Sequence, residues 1–98
     1  MTIETFLLIQ KKGEPYTVLD VRGEYEWQSG HIEGAVHIPL GQVAVDVEQS
    51  VTDKQKKLIV YCAVGGRSAQ AVDILTSIGY TDVHNLEGGF SVYQMHMM

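Results

Sequence analysis

Ninety-eight residues with 45% hydrophobic and 19% charged content are enough for one core without cross-links. A net charge of −5 and seven basic residues that form no stripe argue against a nucleic-acid surface. The single cysteine, Cys62, excludes an internal disulfide, and the scattered His31, His37, His84 and His96 make no metal-ligand pattern. No metal or cofactor is expected. The opening MTIETFLLIQKK is too short in apolar run for a signal peptide or a membrane span, so a cytoplasmic protein is expected.

In chain order, Ile3, Phe6, Leu7 and Ile9 fall at helical spacing between Thr2, a candidate N-cap, and Gly13, a candidate stop. They predict an amphipathic helix over 3–11. The run YTVLDV (16–21) predicts a buried strand, and EYEWQS (24–29) one or two helical turns closed by Gly30. AVHIP (35–39) reads as a second strand stopped by Pro39, and residues 40–56 as helix. KLIVY (57–61) is the clearest strand. Arg67–Ile78 carries Ala71, Ile74, Leu75 and Ile78 on one face, ahead of Gly79, and reads as a helix. DVHNL (82–86) reads as a fourth strand, followed by Gly88–Gly89 and a helical stretch from Phe90. Lys54, Lys56 and Lys57 read as a solvated turn, and the methionines near the C-terminus as a loose tail.

Strands alternating with helices imply an α/β domain over 1–98 with a mostly parallel sheet of four to five strands covered on both faces. Ligands of such sheets sit outside the carboxyl ends of the strands. Cys62 stands at such an end, in LIVYCAVGGRS (58–68). An isolated cysteine is most often a small buried apolar residue. The residues after Cys62 argue otherwise. Ala63, Val64, Gly65 and Gly66 form a small-residue loop, Arg67 supplies a forked cation, and Ser68 opens a helical pattern. Glycines let backbone amides approach a ligand. Amides at a helix N-terminus hold anions and lower a nearby thiol's pKa. The stretch therefore predicts a nucleophilic cysteine handling a small anion.

Four segments, VLDVRGEYEW (18–27), GHIEGAVHIPL (30–40), IVYCAVGGRS (59–68) and the run from Ile78 through LEGGF (86–90), resemble the rhodanese family of sulfurtransferases, in its order and spacing. The small single-domain rhodaneses are the nearest type. The resemblance implies a rhodanese-like fold and a persulfide relay. Cys62 would take a sulfane sulfur from thiosulfate or another persulfide-type donor and pass it to cyanide, a thiol or an acceptor protein. Cys62 is then the catalytic residue, and Ala63, Val64, Gly65, Gly66, Arg67 and Ser68 bind the anionic substrate. Arg67 adds charge or closes the loop through an ion pair. Ser68 donates to the sulfur or caps the helix.

Two departures stand out. Family members active on thiosulfate often carry Arg or Lys directly after the cysteine, where this chain has Ala63. The usual N-terminal strand is not recognisable ahead of the first helix, so a trimmed sheet edge and a monomer or weak dimer are expected. Asp20 and Arg22 are expected to pair structurally, His31 and Glu33 to hold a turn, and Tyr25, Trp27 and Phe90 to pack in the core or at the rim. Two other readings compete. A cysteine phosphatase or arsenate reductase also uses a Cys–Arg loop, but that loop is one residue longer than the four residues between Cys62 and Arg67. A partner-specific sulfur-carrier or binding module would keep the fold without general turnover.

Overall fold

The computed structural model describes residues 1–98. Its order is α1 (Ile3–Lys12), β1 (Thr17–Asp20), α2 (Glu24–Gln28), β2 (Val36–His37), a 3-10 turn (Leu40–Gln42), α3 (Val43–Ser50), β3 (Leu58–Tyr61), α4 (Gly66–Ser77), β4 (Val83–Asn85) and α5 (Gly89–Met97). The four strands form one parallel sheet in the order β2-β1-β3-β4.

Alternation along the strands decides what each face buries. Leu58 and Val60 of β3, with Leu19 of β1, face a cluster completed by Val43 and Val47 of α3 and Ala71 and Leu75 of α4. Ile59 and Tyr61, with Val18, face the opposite cluster, built on Ile3 and Phe6 of α1 and flanked by Phe90, Val92 and Tyr93 of α5. Helices thus cover both faces. Every residue of β3 is fully buried, so its carboxyl end can only emerge into what the next loop builds.

The ends of α1 are as the sequence predicts. Thr2 accepts from the Thr5 amide at 3.2 Å, and Gly13, at φ +71°, returns its N–H to Gln10 and Ile9. Elsewhere the extents differ. The second strand shrinks to Val36–His37, because Pro39 leads directly into the 3-10 turn. The helix read over 40–56 is the 3-10 turn plus α3. Val43 and Val47 are buried four residues apart while Val45 points to solvent, the helical rather than the strand spacing. Beyond Ser50, Val51 is pinned by the Tyr80 hydroxyl on its carbonyl at 2.5 Å, and 51–57 is irregular. The lysine turn is tied down by pairing: Lys54 meets Glu48 at 2.7 Å and Lys57 meets Asp82 at 3.3 Å. The C-terminal methionines are not a loose tail, since α5 continues to Met97. Both sheet edges, β2 and β4, are only two and three residues long.

Candidate active site

β3 delivers Cys62 to the carboxyl end of the sheet's centre, and the loop 63–65 curls back over it. Gly65, at φ +121°, makes the turn that aims its amide at the Cys62 sulfur, 3.1 Å away. Side chains rarely adopt that φ, so the glycine here is required by geometry. The helix α4 starts at once, with Gly65 as its N-cap. Ser68 is therefore not the cap. It sits in the first turn, buried, with its Oγ 3.4 Å from Cys62 Sγ.

Burial pushes the Cys62 thiol up. The Ser68 hydroxyl and the amides of Ser68, Gly65 and Val64 pull it down by more, and the thiol ends below its ordinary value. The sulfur lies under the loop, with Cys62 only 1% exposed, while Val64 stands out at the crest, 71% exposed. Ala63 and Gly65 are half-buried between these extremes and Gly66 is exposed.

Arg67 does close the loop through an ion pair. Its two terminal nitrogens grip both Glu26 carboxylate oxygens, at 2.7 and 2.8 Å, from α2. That bidentate pair holds Glu26 down to about 2 and raises Arg67 further. Glu26 also accepts from the Gly23 amide at 3.0 Å, so one carboxylate caps its own helix and anchors the loop. Sequence alone does not single out Glu26. Its only signal is a carboxylate in the first turn of a short helix, with no indication of which arginine it meets.

α5 clasps the loop from the other side. The Phe90 amide donates to the Cys62 carbonyl at 2.8 Å, and the Ser91 amide to that of Ala63 at 3.1 Å. Gly88 and Gly89 both have positive φ, and a Cβ on Gly89 would collide with the Cys62 and Ala63 carbonyls. The glycine pair is thus the close approach between the last helix and the active loop.

Beneath the site, Arg22 and Asp20 form a buried pair. Nε lies 3.1 Å from both carboxylate oxygens, and Nη2 is 2.8 Å from Oδ2. Arg22 also donates to the Gly30 carbonyl at 2.7 Å and lies over the Phe90 ring, 4.4 Å from its centroid. The Tyr61 hydroxyl donates to Asp20 at 2.5 Å and accepts from the Ile32 amide at 3.0 Å. Asp20 and Arg22 form the expected pair. Trp27 stacks on both His31 and His37, with ring centroids 3.5 and 4.7 Å apart, and His31 Nδ1 meets the Trp27 carbonyl at 3.0 Å. Glu33, expected to share in holding this turn through a bond to the main chain, is exposed like His31 but makes no such bond. Tyr25 is no packing residue either: at 87% exposed it stands at the edge of a cleft of about 350 Å³ that it lines with Arg22, Glu26, Gly30 and Phe90.

The domain that carries this cysteine loop is similar to known proteins in sequence and in fold. The rhodanese-like domain profile matches residues 4–96. The chain belongs to the rhodanese family. Among its relatives, the thiosulfate sulfurtransferase PspE of Escherichia coli is 41% identical over 70 residues, 71% of this chain and 67% of PspE. The tRNA uridine(34) hydroxylase of Erwinia tasmaniensis is 34% identical over 79 residues, 76% of this chain but only 23% of the hydroxylase. The crystal structure of the Alr3790 protein from Anabaena superposes with a TM-score of 0.89 at 32% identity, covering 98% of this chain and 75% of that one. The rhodanese-like fold is therefore shared across nearly the whole chain. No helix is long and apolar enough to cross a membrane.

Proposed function

We propose that this rhodanese-like domain, residues 1–98 acting as one unit, is a sulfurtransferase working through a Cys62 persulfide. The observation that carries the reading is the sulfur's surroundings: the Gly65 amide at 3.1 Å and the Ser68 hydroxyl at 3.4 Å, with the Val64 and Ser68 amides also lowering the thiol's pKa. Each group can offer a proton to an anionic sulfur, and together they favour negative charge there.

The relay is built on that preference. The Cys62 thiolate attacks the outer sulfur of thiosulfate, forming an S–S bond. The bond between that sulfur and the sulfite sulfur breaks, and sulfite departs with the electron pair. The terminal persulfide anion now sits in the amide cup. Cyanide, or a thiolate, attacks the outer sulfur, and Cys62 leaves as the thiolate. Charge stays on sulfur throughout, so fixed amides serve every step without reorganising. Ala63, Val64, Gly65, Gly66, Arg67 and Ser68 form the substrate-binding loop in this reading. Arg67, already committed to Glu26, fixes the loop and contributes its field.

The rim bears on the choice of donor. Ala63 and Val64 carry no charge there, which favours a protein-borne or organic persulfide over thiosulfate as natural donor. The similarity to PspE supports thiosulfate use in vitro. With so short a loop, a phosphate ester is a poor fit. A monomer or weak dimer goes with edge strands this short, and a cytoplasmic location goes with a single cysteine that makes no demand for an oxidising compartment.

The test is thiocyanate formation from thiosulfate and cyanide, with mass spectrometry for one added sulfur on the protein. Turnover and adduct are both expected, and both must vanish in Cys62→Ser. An adduct from other persulfides without thiosulfate turnover would make the domain a dedicated carrier. Neither turnover nor adduct on folded protein would overturn the reading in favour of a binding module.

A further inference from the structure

Ser68 has one hydroxyl proton and three acceptors around it. Its Oγ lies 2.6 Å from Asn85 Oδ1, 3.1 Å from the Gly65 carbonyl and 3.4 Å from Cys62 Sγ. The Gly65 carbonyl already receives the Ala69 amide at 3.1 Å and Asn85 Nδ2 at 3.3 Å. That second contact also fixes which way the carboxamide points, since the flipped amide would set two carbonyl oxygens against each other. Asn85 ends β4, the strand beside β3, so the fold itself brings its carboxamide to the cysteine loop.

We propose that Asn85 is a positioning residue that sets the reactivity of Cys62 by competing with its sulfur for the Ser68 hydroxyl proton. With the thiol protonated, the hydroxyl points to Asn85, the shorter contact and the stronger acceptor. When the sulfur carries charge, as thiolate or as terminal persulfide, the O–H turns toward it. No covalent bond to the proton breaks; only the acceptor changes. The thiolate must therefore win its donor from an amide oxygen, and Asn85 keeps the resting thiol less ionised than the amide cup alone would. The catalytic meaning of this restraint rests on the sulfurtransferase reading; the hydrogen-bond competition itself does not.

The charged groups around the sulfur are few. Arg67 of α4 acts on it directly and is itself held by Glu26 of α2. α5 contributes main-chain groups only, at Phe90 and Ser91. On β4, His84 is paired with Asp82. The Met1 amino group binds the main-chain carbonyl of Asn85 at 2.8 Å and Glu87 at 3.2 Å. None of these is hydrogen-bonded to the Asn85 carboxamide, so its substitution changes the Ser68 partner first.

The experiment is the pH profile of Cys62 alkylation by iodoacetamide on the full chain, where a lone cysteine makes the signal unambiguous. Asn85→Leu keeps the bulk and removes the competitor, and its midpoint falls, with about threefold more thiolate at neutral pH. Asn85→Asp makes the competitor charged, and its midpoint rises. In a Ser68→Ala background Asn85→Leu produces no shift, and the rise from Asn85→Asp shrinks to its through-space part. A midpoint that rises or stays in Asn85→Leu, or a shift that survives Ser68→Ala, overturns the proposal. If circular dichroism shows that leucine is not tolerated, Asn85→Ala carries the same expectation. Thiocyanate formation on the same proteins separates the two ideas. Opposite midpoint shifts with neither turnover nor a sulfur adduct on Cys62 would keep Asn85's role and sink the sulfurtransferase; turnover with unmoved midpoints would do the reverse.

Discussion

At the residue scale, the loop separates two tasks that a cationic loop residue would combine. The amides and Ser68 stabilise charge at the sulfur, while Arg67 is committed to Glu26 and so fixes the loop's shape. Little positive charge is left free at the rim, because Ala63 and Val64 carry none. On the sulfurtransferase reading, a small dianion such as thiosulfate meets little steering charge there. Ala63→Arg restores a cation there, half-exposed, where one attraction is on the order of 1 kcal/mol. It should raise kcat/KM for thiosulfate about fivefold at low salt, with the gain shrinking as ionic strength rises. Steady-state assays at two salt concentrations check this. An unchanged kcat/KM would mean that the rim does not steer the donor. The residues of the loop are legible in the sequence because small residues, a cation and a cysteine lie consecutively. Asn85 and Glu26 are not, because each meets the loop from a distant segment and each looks in sequence like an ordinary strand end or helix start.

At the element scale, α5 acts as a clasp. Its first amides satisfy the Cys62 and Ala63 carbonyls, so the loop cannot curl without the helix start being pressed against it. Only glycine fits that contact. Gly89 has φ +55°, and an added Cβ would overlap the Cys62 carbonyl. Gly89→Ala should cost about 1–3 kcal/mol from the backbone strain alone. The relief available is a shift of the loop away from α5, which also moves the amides from the sulfur. Loss of stability in urea unfolding should therefore be accompanied by a higher midpoint for Cys62 alkylation. A destabilised protein with an unmoved thiol would show that the clasp and the amide cup are independent. The pair Gly88–Gly89 is readable as a turn, and the four strands and their order along the chain are readable from β-branched runs. The ends of the second strand and of α3 are not. Pro39 cuts the strand short where it enters the 3-10 turn, and Val51 is pinned by Tyr80 from far along the chain, so both override what the local pattern alone suggests.

At the scale of the whole molecule, the site stands on a buried polar bridge across the two central strands. Asp20 ends β1 and Tyr61 ends β3, and their side chains meet at the carboxyl end of the sheet, where Arg22 and the Ile32 amide complete the network. The Asp20–Arg22 pair is foreseeable from two neighbouring charges beside a strand. Tyr61 is not, because a tyrosine ending an apolar strand reads as packing, and only the parallel register that sets it opposite Asp20 gives its hydroxyl a role. Burial pushes the phenol up, and donation to Asp20 adds to that, so it stays protonated and keeps donating. Tyr61→Phe deletes one hydroxyl and leaves two buried groups short: Asp20 loses a donor, and the fully buried Ile32 loses the acceptor for its N–H. An unsatisfied buried polar group costs about 1–3 kcal/mol, so the urea midpoint should fall accordingly with the slope unchanged. Arg22→Leu should cost more, about 3–5 kcal/mol, since it strands the Asp20 charge itself. If the two variants are equally destabilised, stranding the Asp20 charge costs no more than removing its hydroxyl donor from β3.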